Sequence, residues 1–474
     1  MKKLTLGFIL MCIVATFASC TKTEYITIAP EEEAPDTSTY TIMLYGCGGG
    51  NLDSSMVMNI QEALLEGATD RVNFVGQVKF SKAYQEVEPL KGTQRFIVGE
   101  AGAQWYEPVE VLDPMLKLND PANLTAFINW AKEQRPADNY ILILWNHGAG
   151  WLPFVDPVSR AVIFDDVVNA YVGMSINELV KGVKDSNTKF KMIYYDACLM
   201  GMFENIVGLG DCTDYTMCAS HITPGLGGDY NSLIHHLDNS TNFEEAMKVY
   251  VNETVEHWEQ QGLALDLMLV DNNQVDPLLE EIKVLSGYLK EVAEIVASYN
   301  EETDASDLKK YYLCSAYQYA ICSCYHYDWN YMADGRPESP FFDLNHFLQI
   351  LVNARTHDYS AKFVDISSRI SRAFKNAIIC KQLTTPIKSM DLTMAITIVD
   401  SYQWNIYGYE KPYNDLAFHQ KTGWGDWLKI NTVAPIGNPD PLKVIGATPS
   451  DGDGSSEPSV ELQIEYILGL IGKN

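Results

Sequence analysis

Two stretches constrain this chain more than any others: residues 139–151, NYILILWNHGAGW, and residues 189–209, KFKMIYYDACLMGMFENIVGL. Each carries an apolar run too continuous for a strand with one wet face. Runs of this kind belong to strands covered on both sides, as in the middle of a parallel sheet with helices packed over it. Both runs stop at residues that carry chemistry, His147-Gly148 in one and Asp196-Ala197-Cys198 in the other. In an open α/β sheet, ligands bind beyond the carboxyl ends of the strands. If the two strands are parallel neighbours, an imidazole and a thiol emerge side by side on one edge.

The surrounding sequence supplies the rest of such a sheet. TYTIMLYGCGGGNLD reads as a strand ending in glycines, followed by a helix from Ser54 to Leu65. NFVGQVKF, RFIVGE, DYTMCAS and LALDLMLVD read as further strands. LTAFINWAKEQRP is a helix stopped by Pro136, SINELVKGVKDS a helix capped by Ser175, and residues 243–261 another helix. Alternating strands and helices predict an α/β fold, a sandwich around a mostly parallel sheet. Beyond Asp271 the pattern turns to long helices, with LLEEIKVLSGYLKEVAEIVASYN, FFDLNHFLQILVNA and AKFVDISSRISRAFKNAI helical and TMAITIVDSYQWNIYGY sheet-like. The expected organisation is a core over residues 39–272, a C-terminal α+β extension over 273–430 and a tail over 431–474 that includes the linker-like PSDGDGSSEPS.

The first nineteen residues are an address. Lys2 and Lys3 precede an apolar stretch from Leu4 to Phe17, and Ala18-Ser19-Cys20 forms a small-residue cleavage site. That stretch is short for a bilayer span, which takes about 20 apolar residues. One reading is an ordinary secretory signal with an incidental Cys20. The Phe-Ala-Ser-Cys context favours the other, a bacterial lipobox in which Cys20 is acylated after cleavage. Residues 20–38, with Glu31 to Glu33 between two prolines, then form an acidic flexible tether. The expected location is the cell envelope, with the lipid on Cys20 as the membrane contact and either membrane face open. The chain carries 34 basic against 62 acidic side chains, a net charge of −28 without any basic block. This balance repels phosphate backbones, so no nucleic-acid partner is expected.

A cysteine nucleophile needs a base to form the thiolate and an acid for the leaving group, and His147 beside Cys198 offers both. Gly148 lets a substrate carbonyl approach the backbone, and its N–H together with that of Cys198 provides an oxyanion site. Asp196, two residues before Cys198 on an alternating strand, points to the same side and presents a carboxylate to a cationic substrate group. Taken alone, a His and a Cys some fifty residues apart read rather as a polar strand end and a core thiol. Among the remaining candidates, His221 lines the substrate groove or packs beside it, and His235-His236 lie on a solvated helix face. Cys322-x-Cys324-x-His326 is too tight and too apolar in context for a zinc pair, so no metal site is assigned.

Several blocks decide between those readings. IMLYGCGGGNLDSSM, LILWNHGAGW, IFDDVVNAYVGMSINEL, YYDACLMGMFE and CASHITPGLGGDYNSLI, followed by DLNHF and YNDLAFHQKTGWGDWL, resemble the clostripain family of cysteine peptidases over roughly residues 39–430. The resemblance implies a caspase-like fold with His147 as general acid–base, Cys198 as nucleophile and Asp196 as the floor of a pocket for Arg or Lys. It implies a peptide or protein substrate and no required cofactor. It also raises calcium, which some family members use, at Asp165-Asp166; the alternative there is a loop cap. The family often matures by a cut between the catalytic His and Cys after a basic residue, which points to Arg160 in WLPFVDPVSRAVIF. One departure stands out. The segment Ser220 to Pro224 lacks the acidic residues common in the family, which leaves basic against neutral preference open. The reading from sequence is an exported, lipid-anchored cysteine endopeptidase. Its rival is a catalytically silent surface lipoprotein holding peptides in the same groove. The oligomeric state is left open.

Overall fold

The computed structural model describes residues 38–49, 51–152, 162–168, 173–260, 265–304, 306–327 and 340–432, with 464, 466 and 468–470 near the C-terminus. Residues 1–37, which hold Cys20 and the expected leader and tether, lie outside the described residues, as do Arg160 and most of the tail.

The strands in chain order are β1 Ser38–Cys47, β2 Val72–Lys79, β3 Thr93–Ile97, β4 Glu110–Leu112, β5 Ala137–Trp145, β6 Phe190–Asp196, β7 Thr213–Cys218, β8 Asp266–Asp271, β9 Phe341–Asp343, β10 Ile378–Leu383 and β11 Ala395–Thr397. The first eight and β10 make one sheet in the order β10-β8-β7-β6-β5-β1-β2-β3-β4. Its five central strands, β7 to β2 in that order, run parallel. The edge strands β3, β4, β8 and β10 run antiparallel to their neighbours.

Helices cover both faces, and the apolar runs show why. On β5, Leu142 and Leu144 enter one core while Ile141, Ile143 and Trp145 enter the other. On β6, Ile193 and Tyr195 divide from Met192 and Tyr194 in the same way. A strand with period two and apolar residues at every position can only be satisfied between two helical layers. The helices α1 Asp53–Glu66, α5 Tyr230–Asn239 and α6 Phe243–Glu259 bury their apolar stripes on the second face. On the first lie α2 Pro121–Gln134, α3 Ile176–Asp185, α4 Phe203–Leu209 and the 23-residue α7 Val275–Ala297. Ser175 caps α3 through a full capping box with Glu178, as its sequence predicts. The fold is the expected three-layer α/β/α sandwich.

Three local differences from the sequence reading have physical causes. In LALDLMLVD, Asp266–Asp271 form β8 antiparallel to β7, since the two helices α5 and α6 between them return the chain to the end of the sheet where β7 stops. The helix α11 Ser360–Ala377 gives way at once to β10, which pairs with β8 and brings the segment beyond Asp271 back into the main sheet. TMAITIVDSYQWNIYGY is sheet only over β11; Asp400 then accepts a hydrogen bond from the Gln403 N–H and starts the helix α12 Ser401–Ile406. A cap thus outweighs the aromatic and β-branched content there. The other C-terminal helices are α8 Glu301–Asp304, α9 Leu308–Ser323, α10 Leu344–Asn353, α13 Glu410–Asn414, α14 Ala417–Thr422 and α15 Trp424–Leu428.

Candidate active site

The chain runs from β1 through α1 on one face to β2, then returns to place β5 on the other side of β1, so the sheet reverses its winding between β1 and β5. The crevice beyond the carboxyl ends of these two strands is where an open sheet can receive a ligand. β5 and β6 are parallel neighbours with Trp145 in register with Asp196. His147 and Cys198 each lie two residues past that pair, so the pairing of the strands brings the imidazole and the thiol to one edge.

The backbone of Gly148 lies directly against Cys198: a Cβ at residue 148 would stand 2.1 Å from the Cys198 carbonyl oxygen and 2.9 Å from its nitrogen. Only glycine fits there. Beyond Cys198, Leu199 takes the left-handed conformation (φ 59°), which is unusual for a branched residue. Two backbone bonds hold the turn, from Leu199 N–H to the His221 carbonyl at 3.0 Å and from Gly201 N–H to the Ala219 carbonyl at 2.7 Å. Cys198 itself is partly exposed, with its Sγ 3.7 Å from the Thr223 carbonyl oxygen and 3.6 Å from the Thr223 hydroxyl. Burial pushes its thiol above the ordinary value, with the Thr223 hydroxyl acting the other way. A thiol held neutral at rest has to give its proton to a neighbouring base before it can attack. His147 Nε2 is bound to the side-chain oxygen of Asn51 at 2.8 Å, and its ring lies tilted against Phe164.

Asp196 is buried beneath the loop that precedes α5. Its Oδ2 accepts from the Gly228 N–H at 2.9 Å and from the Tyr230 hydroxyl at 2.8 Å. Burial pushes its carboxyl up to about 6, against those two donors. Gly227, at φ 61°, is required here because a Cβ would come within 2.9 Å of Asp196 Oδ2. Asn59 ties the same loop to the sheet, donating to the Leu226 and Gly228 carbonyls and accepting from the Trp145 indole.

His221 is core. Its Nδ1 lies 2.5 Å from Asp266 Oδ1 and its Nε2 2.8 Å from the Tyr325 hydroxyl, and Lys381 of β10 pairs with the other Asp266 oxygen at 3.1 Å. Burial would raise the Asp266 carboxyl, but Lys381 and His221 outweigh it and hold it well below the usual range. Asp266 Oδ1 also accepts from the Ser220 and His221 N–H groups, so this ion cluster supports the segment beside the Cys198 turn. His235 and His236 pair with Glu66 and Glu253 on the surface.

Asp165 and Asp166 do not fit calcium. Asp165 forms a fully buried ion pair with Lys79 at 2.9 Å and accepts from the Leu118 and Val167 N–H groups, so an ammonium already occupies the cation position. Asp166 accepts from the Lys82 N–H. A calcium site needs six to eight oxygens around a cation. Among the described residues, no three His, Cys, Asp or Glu side chains gather as a metal site, those at 322–326 included.

The sequence profile of the clostripain family matches residues 97–430, most of the chain and both strand ends. This protein belongs to the clostripain family of cysteine peptidases. The clostripain of Hathewaya histolytica is 27% identical over 182 residues, a stretch spanning 35% of this chain and about a third of that relative. An inactive zymogen C11 protease from Parabacteroides distasonis superposes with a TM-score of 0.57 at 16% identity, over 82% of this chain and 99% of that one. A secreted C11 cysteine protease from Bacteroides thetaiotaomicron, solved with an irreversible peptide inhibitor, gives the same TM-score, identity and coverage. These likenesses bear out the caspase-like sandwich. Two contacts of this clostripain-family site escaped the sequence reading, Asn51 on His147 and Thr223 on Cys198. The only signal for Asn51 was a polar residue just after the glycines that end a central strand.

Proposed function

We propose that the protein is an endopeptidase that cleaves peptide bonds with the Cys198–His147 dyad, preferentially after Arg or Lys. The observation that carries this reading is the juxtaposition of His147-Gly148 with Cys198 across registered neighbouring strands. The Cys198 thiol passes its proton to His147 and the thiolate adds to the substrate carbonyl carbon. The N–H groups of Gly148 and Cys198 receive the oxyanion. On collapse the C–N bond breaks, His147 protonates the departing amine, and a thioester remains. Water, deprotonated by His147, then adds to the thioester; the C–S bond breaks and the acid leaves.

Asp196 supplies the preference for a cationic side chain through a charge-assisted hydrogen bond. Its carboxyl must be ionised to do so, and it loses its proton near pH 6. The ratio of kcat/KM for an Arg peptide to that for a Leu peptide is therefore expected to rise as pH climbs through about 6. Asp196→Asn should cut that ratio by about 10- to 100-fold, the worth of a hydrogen bond to a charged group, and flatten its pH dependence. An unchanged ratio would assign the carboxylate solely to holding the loop before α5.

The same reading has the chain exported, cleaved before Cys20 and anchored by a lipid on that residue in the cell envelope. Among the described residues, no helix is long and apolar enough to cross a membrane. Metabolic labelling with a fatty acid is expected to mark the wild type and miss Cys20→Ser; label retained by the variant would remove the anchor from the proposal.

A further inference from the structure

We propose that Asn51 is a positioning residue for His147, holding the imidazole as the Nε2–H tautomer so that proton exchange with Cys198 runs through Nδ1. This deepens the dyad reading and rests on it. The bond from His147 Nε2 to Asn51 Oδ1 is 2.8 Å long and joins the loops after β5 and β1 across the crevice where the sheet reverses. With the amide oxygen turned to the ring, which can only accept, a neutral imidazole in this pairing carries its proton on Nε2 and its lone pair on Nδ1. A neutral base needs that arrangement, because a ring with Nδ1 protonated cannot take the thiol proton through that atom.

The loop that delivers Asn51 is held from several sides. The Gly48 N–H donates to the Lys79 carbonyl and the Leu52 N–H to the Gly48 carbonyl, both at 2.9 Å. Asn146, the residue before His147, donates to the Cys47 carbonyl at 2.6 Å and accepts from the Phe164 N–H, so one side chain locks the ends of β1 and β5 together. Gly49, at φ 56°, lies so close under it that a Cβ would stand 2.6 Å from Asn146 Nδ2. Asp53 at the start of α1 accepts from the Ser81 N–H at 2.8 Å and closes the turn on its far side. The amide is thus presented from a braced turn, which is what fixing a ring orientation requires. It is also neutral. A carboxylate at the same place would accept the same proton but would stabilise the imidazolium and raise the basicity of the ring.

The test uses the full-length chain with the imidazole nitrogens labelled, in a Cys198→Ala background that prevents self-digestion, with His147 assigned by its loss in a His147→Gln variant. Nitrogen NMR is expected to report a predominant Nε2–H tautomer for His147. Asn51→Ala should convert it to a mixture, and Asn51→Asp should restore Nε2–H while raising the His147 titration midpoint by about one unit or more. In chains that keep Cys198, Asn51→Ala should lower kcat about 10- to 100-fold with little change in KM, the usual range for loss of an orienting partner. A predominant Nδ1–H tautomer in the parent, or a tautomer ratio unmoved by Asn51→Ala, overturns the proposal. A wild type without peptidase activity but with the expected tautomer shifts would defeat the dyad reading and leave the Asn51–His147 pairing standing.

Discussion

Cys198→Ala and His147→Ala are each expected to lower kcat/KM for peptide hydrolysis by at least about 10³-fold, with the fold unchanged. The two side chains act as one unit, so removal of either forfeits nearly the whole chemical step and the losses do not add in the double variant. The residual rate would come from binding and from the N–H groups of Gly148 and Cys198, which both variants retain. Cys198 is only partly exposed and its turn is held by backbone bonds to Ala219 and His221, so loss of its sulfur leaves the scaffold in place. Circular dichroism and thermal unfolding would verify that. An irreversible peptide electrophile ending in Arg should label the wild type stoichiometrically and Cys198→Ala not at all. Turnover near wild type in either variant would sink the dyad. Peptide binding without labelling or turnover would favour the silent lipoprotein instead.

Purified wild type is expected to mature into two fragments with a new N-terminus at Ala161, while Cys198→Ala and Arg160→Ala stay single chains of low activity. Of the basic residues between His147 and Cys198, Lys181 and Lys184 lie in α3 and Lys191 in β6, with Lys189 one residue before that strand. A peptidase groove takes extended backbone, which regular elements cannot offer without unfolding. Arg160 lies outside the described residues, but Val162, two positions on, forms an antiparallel bridge with Gly148 and a second with Met174. Val162 is therefore held against the residue that follows His147. A cut after Arg160 is expected to leave the Val162 bridges in place beside the site. Arg160→Ala is then expected to lose most of the activity, by at least about tenfold, with the rate in mixed samples tracking the fraction of cut chain on a gel. A fully active wild type that remains one uncut chain would rule the scheme out.

Much of the site was legible because its chemistry sits where apolar runs stop. The runs 141–145 and 192–195 carry two-sided burial in their composition, and His147, Gly148, Asp196 and Cys198 follow from where they end. The residues that set those groups in place were not legible. Asn51 is 96 positions from His147, and Thr223 is 25 from Cys198. The sequence leaves His221 between lining the groove and packing beside it, because its partners Asp266 and Tyr325, and the Lys381 that pairs with Asp266, come from three separate segments. Calcium stood open beside a loop cap at Asp165 because the ammonium of Lys79 that it faces is 86 positions away.

By itself, then, the sequence determined the layers: which strands are covered on both faces, which helices present one apolar stripe, and which polar residues end the central strands. These are consequences of side-chain periodicity and local capping, and they act within a few residues. Tertiary structure alone decided that β5 and β6 are neighbours in the register that aligns His147 with Cys198. It also turned β8 antiparallel and returned β10 to the sheet, so that Lys381 reaches Asp266 beside the Cys198 turn. Strand order, register and buried ion pairs are choices between distant segments with similar local preferences. Only the burial of both sheet faces at once, and the cost of leaving a charge such as Lys79 or Asp266 unpaired in the core, separates the chosen arrangement from the others.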